Sequence, residues 1–273
     1  LIGQGDLSAD VCIVDDRPGE NTGPSLLPAA PPVQRGGGIL ASQAADNLYW
    51  FGRYMERAEM TLRIVRAVLG GSIEVDTLTG QNPEAQGRLV ELLYLWDAMP
   101  AKLRTAEPED VCRATLGTEA HSGSVPALLD RLRTIGMALR DRFSSEFWRI
   151  ASAPIPALPS GHQDALLRQA RQLVIRFGTL SGLIAENMNR GPAWRFLDLG
   201  RRIERGLSTC RIVRHMTANV PNPAALGVIL DLCDSQITYR SRYLTGPTLA
   251  PVLDLVLLDA DNPRALVFQL AAV

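Results

Sequence analysis

The sequence predicts an all-α fold: a helical bundle with an internal duplication, preceded by a short N-terminal strand-like segment and a flexible linker. Three observations predict it. Beyond Leu40, apolar residues recur at steps of three and four, the spacing that gathers them on one face of a helix. Helix-start residues stand at the heads of these runs, and Gly, Pro and Asn fill the gaps between them. A helix-length motif, Gly-Arg-x-x-Glu-Arg, occurs twice, and no sustained alternation of polar and apolar residues competes with the helical period.

In chain order, residues 1–14 hold one β-like run, Val11-Cys12-Ile13-Val14, closed by an Asp-Asp-Arg-Pro-Gly turn signal. Residues 15–39 carry Pro18, Pro24, Pro28, Pro31, Pro32 and the Gly36-Gly37-Gly38 triplet, a composition suited to a linker. Helices are expected over roughly 42–70, 83–105, 124–150, 161–189, 193–218 and 223–245, with a shorter pair near 248–258 and 262–273. Ser42 is placed to cap the first, and Ser160 with Gln163 has capping-box spacing. Asn222-Pro223 and Asn262-Pro263 each put a capping residue before a first-turn proline.

Composition narrows the function classes. A chain of 273 residues that is 46% hydrophobic can bury a sizeable core. A net charge of -1 leaves no sequence-wide basic field, so nucleic acid is not an expected partner. Lys102 is the single lysine, so the positive charge is almost all arginine, the cation suited to planar carboxylate and phosphate partners. Cys12, Cys112, Cys210 and Cys233 are far apart and read as reduced thiols of a cytoplasmic protein. No apolar run approaches the ~20 residues that cross a bilayer. Opening on Leu1 and stopping at Val273 inside an apolar helical pattern, the chain reads as a piece of something longer.

The repeated motif is the main candidate for function. Asn47 to Arg63 aligns without a gap on Arg195 to Arg211, matching Gly52-Arg53-x-x-Glu56-Arg57 with Gly200-Arg201-x-x-Glu204-Arg205, and Arg63 with Arg211. Leu48, Phe51, Met55, Ala58, Leu62, Val65 and Leu69 form an apolar stripe expected in the core, repeated by Phe196, Leu199, Ile203, Gly206, Cys210 and Val213. Beside it runs a mixed stripe, Tyr49, Gly52, Glu56, Glu59 and Arg63, matched by Leu197, Gly200, Glu204, Leu207 and Arg211. A glycine inside a helix costs ~1 kcal/mol relative to alanine, so something is expected to approach closely there.

Two readings of the mixed stripe stand side by side. In the structural one the glycines let two helices cross tightly, and Glu56 faces Arg205 while Glu204 faces Arg57, since a buried charge needs a partner. In the functional one Arg53, Arg57, Arg201, Arg205, Arg211, Arg63, Glu59 and Tyr49 line a cleft for an anionic or zwitterionic ligand, with Glu56 or Glu204 as general base or acid. Glu146 and Trp148, and Glu186, Asn187, Asn189 and Arg190, read as helix-end capping groups. Tyr239, Arg240, Arg242 and Tyr243 read as a solvated helix face.

His121, His162 and His215 are isolated from one another and from acidic pairs at ligand spacing, so no metal site is expected. Neither a Walker A string nor a Gly-x-Ser-x-Gly elbow occurs.

The segment LASQAADNLYWFGRYMERAEMTLR closely resembles the start of the bacterial alpha-E domain family, and the resemblance extends through SSEFWR, WRFLDLGRRIERG and LLDADNPRAL, covering residues 40–273. It implies an all-helical domain encoded beside, or fused to, a circularly permuted ATP-grasp protein, often with a transglutaminase-like protease. Residues 1–14 are similar to the closing segment of such an ATP-grasp module, with Ala9 and Cys12 where lysine and tryptophan are usual. Where family members carry Ala-Arg-Glu-Asn-Ala-Arg, this chain has Leu132-Arg133-Thr134-Ile135-Gly136-Met137. The resemblance implies an accessory or interaction module of an amide-ligase system that ligates or tags peptides. ATP and magnesium would enter only through the ATP-grasp partner. An enzyme in its own right and a structural oligomerisation bundle are the alternatives.

Overall fold

The computed structural model describes residues 40–70, 82–117, 121–158, 163–219 and 221–273. Among them the regular structure is helical: α1 Ser42–Val68, α2 Pro83–Leu95, α3 Pro108–Gly117, α4 Val125–Met137, α5 Ser145–Ala151, α6 Gln163–Asn187, α7 Pro192–Met216, α8 Pro223–Leu232, α9 Gln236–Tyr243, α10 Leu249–Leu253 and α11 Leu266–Ala272. No helix in this set is long and apolar enough to cross a membrane. The expected strand at 11–14, the linker, Cys12 and the Ser160 cap lie outside the described residues.

α1 is the axis of the fold, packed by α2, α3, α4, α6, α7 and α8. Its predicted stripe is core along its whole length: Leu48, Phe51, Met55, Ala58, Leu62, Val65 and Leu69 are all buried. Because neighbours surround it, α1 also buries residues off that stripe, among them Glu56, Glu59 and Arg63.

α7 does not repeat this pattern. Gly206 and Val213 are buried, but Phe196 and Cys210 are exposed and Leu199 and Ile203 are only half-buried. The reason is its surroundings: α7 packs on α1, α2, α8 and α11 and leaves one side open. Its buried face runs instead through Leu197, Gly200, Glu204, Ser208, Ile212 and Met216.

Several predicted helices are broken. The 83–105 segment ends as helix at Leu95, because Asp97 takes a left-handed conformation (φ 54°) and its carboxylate accepts from the amide and hydroxyl of Ser122. The 124–150 segment divides at Leu139 to Phe143, and Ser144 restarts the chain as α5 by accepting from the Phe147 amide at 3.2 Å. The 223–245 segment divides at Asp234, also left-handed (φ 53°). α3 is not among the helices expected from the sequence, yet it buries Val111, Cys112, Thr115 and Leu116 and opens with a first-turn proline and two acids.

Capping follows the sequence in part. Asn222 accepts from Ala225 at 2.8 Å as expected. Ser42 lies within the first turn rather than capping it, since the cap position is Ala41. Asn262 is buried and donates to Ser235 Oγ and the Leu255 carbonyl, so α11 starts later, after Ala265.

Candidate functional site

The two copies of the motif meet where α1 crosses α7, and the glycines set how closely. A Cβ on Gly52 would collide with the Leu197 carbonyl and press on the Arg201 amide; one on Gly200 would collide with the Tyr49 carbonyl and press on the Arg53 amide. Each glycine therefore faces the backbone beside the other. The helices touch main chain to main chain, which no residue with a side chain permits.

That approach explains the rest of the motif's spacing. Glutamate lies four residues after the glycine, one turn along the same face, and reaches across the crossing. The arginines lie one and five residues after the glycine, one turn apart, so they bracket the incoming carboxylate from above and below. Glu56 accepts from Arg201 Nε at 2.9 Å and from Arg205 Nη2 and Nε at 2.8 and 3.0 Å. Glu204 accepts from Arg53 Nε at 2.5 Å and from Arg57 Nε and Nη2 at 2.7 and 3.2 Å. The clamp is reciprocal: what α1 does to α7, α7 does to α1. The expected facing of Glu56 with Arg205 and of Glu204 with Arg57 is the observed one.

Both carboxylates are buried, Glu56 4% exposed and Glu204 fully enclosed. Burial by itself would raise the Glu56 carboxyl, but Arg205, Arg201 and Arg264 outweigh it and hold it far below the usual carboxylate range. Tyr49 adds an outer tie, its hydroxyl accepting from Arg53 Nη1 at 2.7 Å.

A second cluster continues along α1. Glu59 accepts from Arg63 Nε at 3.0 Å and from Arg264 Nη2 at 2.9 Å, and Arg63 also donates to Asp234 at 3.2 Å. Burial opposes the ionisation of Glu59, and Arg264 and Arg63 lower its pKa nonetheless. Arg66 donates to Asp231 at 2.9 Å, extending the chain of charges to α8.

Of the residues singled out from sequence, Tyr49, Arg53, Glu56, Arg57, Arg201, Glu204 and Arg205 form the clamp, and Glu59 and Arg63 form the adjoining cluster. Arg211 joins neither, because it is exposed, with its guanidinium 5.7 Å from the Trp96 ring centre. Leu207, the counterpart of Glu59, is exposed as well. Sequence reasoning missed Arg264 and Asp234. Arg264 belongs to the LLDADNPRAL segment, whose density of charge was a usable signal. Asp234 carried none, since its position depends on a left-handed turn.

Other polar groups sort differently. Tyr239 is buried rather than solvated: its hydroxyl donates to the Gly246 carbonyl at 3.2 Å and accepts from the Thr248 amide at 3.1 Å. Arg242 is exposed, as expected of a solvated face, and pairs with Asp259. Arg190 donates to the Ala185 carbonyl, at the end of α6, and lies over Trp194. Among the described residues, no group of three His, Cys, Asp or Glu side chains is arranged to hold a metal ion.

Each clamp carboxylate accepts three bonds of the roughly four its oxygens can take, all from guanidinium groups. Neither glutamate lines the cavity beside α4, α5 and α6 or the groove between α7 and α11. The chemistry such an arrangement performs best is mutual fixation of two helices, because both carboxylates are committed to cations of the partner helix.

Residues 40–273 match the family model for Alpha-E, described as a predicted alpha-helical domain with a conserved ER motif. The Glu56-Arg57 and Glu204-Arg205 dipeptides, both within the clamp, fit that description. The chain is 28% identical over 282 aligned residues to an uncharacterised protein of Mycobacterium tuberculosis and, at the same identity, to one of Mycobacterium bovis. The alignment covers 88% of this chain and 30% of each relative, so the chain spans less than a third of the length of those relatives. No solved structure matches.

Proposed function

The chain belongs to the Alpha-E family, and from that premise we propose that its helical domain is an interaction module of an ATP-dependent amide-ligase system rather than a catalyst. In this reading it docks, or presents a peptide to, a circularly permuted ATP-grasp protein, fused or separate, with a transglutaminase-like protease as a further associate. ATP and magnesium belong to that partner, and the cytoplasm, where ATP is plentiful, is the expected setting.

The observation that carries the reading is the closed state of the clamp. A general base or acid must reach the proton it moves, within about 3 Å of substrate or through one water. Glu56 and Glu204 are buried, and each already accepts three bonds from arginines of the opposite helix. The motif is thus spent on architecture, which leaves the domain's surface as its working part. That the matched relatives are more than three times longer than the aligned region fits a module acting beside other domains.

The test is to purify the helical domain with and without an ATP-grasp partner and to follow ATP turnover across a panel of amino acids and peptides. The domain alone should consume nothing, and its addition should change the partner's turnover or peptide preference. Turnover of a substrate by the isolated helical domain would overturn the proposal in favour of an enzyme using the Glu/Arg pairs.

A further inference from the structure

On the side of α1 away from the clamp lies a partly open cavity of about 270 Å³, lined by α1, α4, α5 and α6. Its walls are mostly apolar: Phe51 and Met55 of α1, Leu132 and Met137 of α4, Trp148 of α5 and Phe177 of α6. Three arginines, Arg133, Arg140 and Arg176, also line it, and no acidic residue does.

This is a departure from the electrostatics of the rest of the fold. Along the α1–α7 crossing each buried guanidinium meets a carboxylate. Arg176 instead sends one nitrogen, Nη2, to the carbonyls of Ala151 and Ala153, at 2.7 Å each. Those carbonyls lie at the C-terminal end of α5, where a cation is favoured. Neither Arg133 nor Arg140 has an ion-pair partner among the described residues. Burial and the neighbouring Arg133 both weaken Arg176's hold on its proton, so the two cations oppose each other across the cavity edge.

We propose that this cavity binds a carboxylate carried on a compact apolar body, the anion between Arg133 and Arg176 and the apolar part against Phe51, Met55, Trp148 and Phe177. The site combines a mostly apolar lining with a few placed polar groups, the usual make-up of a small-ligand pocket. An apolar cavity of about 150 Å³ holds one benzene ring, so this one takes an apolar group on the order of ten carbon atoms. Guanidinium favours carboxylate through paired N–H donors, and entry of one anion relieves the repulsion between two cations. The same chemistry is offered by a medium-chain fatty acid and by the free C-terminus of a peptide ending in apolar residues.

The experiment titrates the chain with octanoate and with N-acetyl-leucyl-leucine, each against a neutral counterpart, octan-1-ol and the peptide's C-terminal amide. Calorimetry and the change in tryptophan fluorescence, Trp148 lining the cavity, follow binding. At least one free acid should bind about tenfold or more tightly than its counterpart, and which acid does so identifies the source. Arg133→Gln should weaken that acid about tenfold and leave the counterpart unchanged. Arg133 is exposed and makes no hydrogen bond among the described residues, so this variant should fold even if Arg176→Gln, which uncaps α5, does not. Equal binding of acid and counterpart, failure of both acids to bind, or indifference to Arg133→Gln would each overturn the proposal.

Discussion

Glu56 shows how far the stability of this protein rests on single charges. Its carboxylate neutralises Arg201 and Arg205 in a place where water does little of that work. Breaking a buried pair by removing one partner typically costs about 3–5 kcal/mol, because the surviving charge stays buried. Glu56→Gln should therefore lower the urea unfolding free energy by about 3 kcal/mol or more. The exposed Arg104–Glu91 pair is the internal control, and Glu91→Gln there should cost under about 1 kcal/mol. The pH dependence has a definite sign. Glu56 and Glu59 both titrate below their ordinary value of 4.5 in the folded chain. The stability they contribute is complete above that value and is lost as pH falls below it toward the folded pKa. Urea unfolding should thus be nearly flat in these groups from pH 8 to 6 and weaken steeply below about pH 5. Glu56→Gln should flatten the acid limb, and an unchanged limb would assign the acid sensitivity to other carboxylates.

At the scale of elements, what matters is that α1 and α7 meet backbone to backbone. Glycine to alanine inside a helix ordinarily stabilises by up to ~1 kcal/mol. At Gly178 and Gly182 on the exposed side of α6 an added Cβ would meet nothing within 4 Å, so alanine there should raise the melting temperature. At Gly52 or Gly200 the same methyl strikes main chain that cannot rotate away. Alanine there should destabilise by about 3 kcal/mol, at the upper end of the usual overpacking cost. Thermal unfolding of the four variants checks the contrast in sign. The sequence already carried this distinction, since only Gly52 and Gly200 belong to the repeated motif. Helix ends were less legible. The breaks at Asp97 and Asp234 arise from left-handed turns fixed by contacts with distant residues, Ser122 for one and Arg63 for the other. α3 was hidden by brevity: ten residues give too few turns for a period to stand out.

Across the whole molecule, the helical class and the buried stripe of α1 were readable because α1 is central and its apolar period is enforced along its length. The matching stripe on α7 was misplaced because the alignment of the two motifs suggested equal surroundings, whereas α7 leaves one side open. Within the candidate site, the facing of Glu56 with Arg205 and of Glu204 with Arg57 followed from the repeat and charge balance, whereas the second arginine on each carboxylate, Arg201 and Arg53, did not. Arg264 escaped because it enters from the C-terminal part of the chain, where no repeat drew attention to it. The central claim is that two motifs far apart in sequence hold each other through crossed ion pairs. A double-mutant cycle on Glu56→Gln and Arg205→Gln, read by urea unfolding at pH 7, tests it most directly. We expect a coupling of about 2 kcal/mol, the double variant being much less damaged than the sum of the two singles. Additivity within about 0.5 kcal/mol would contradict the clamp.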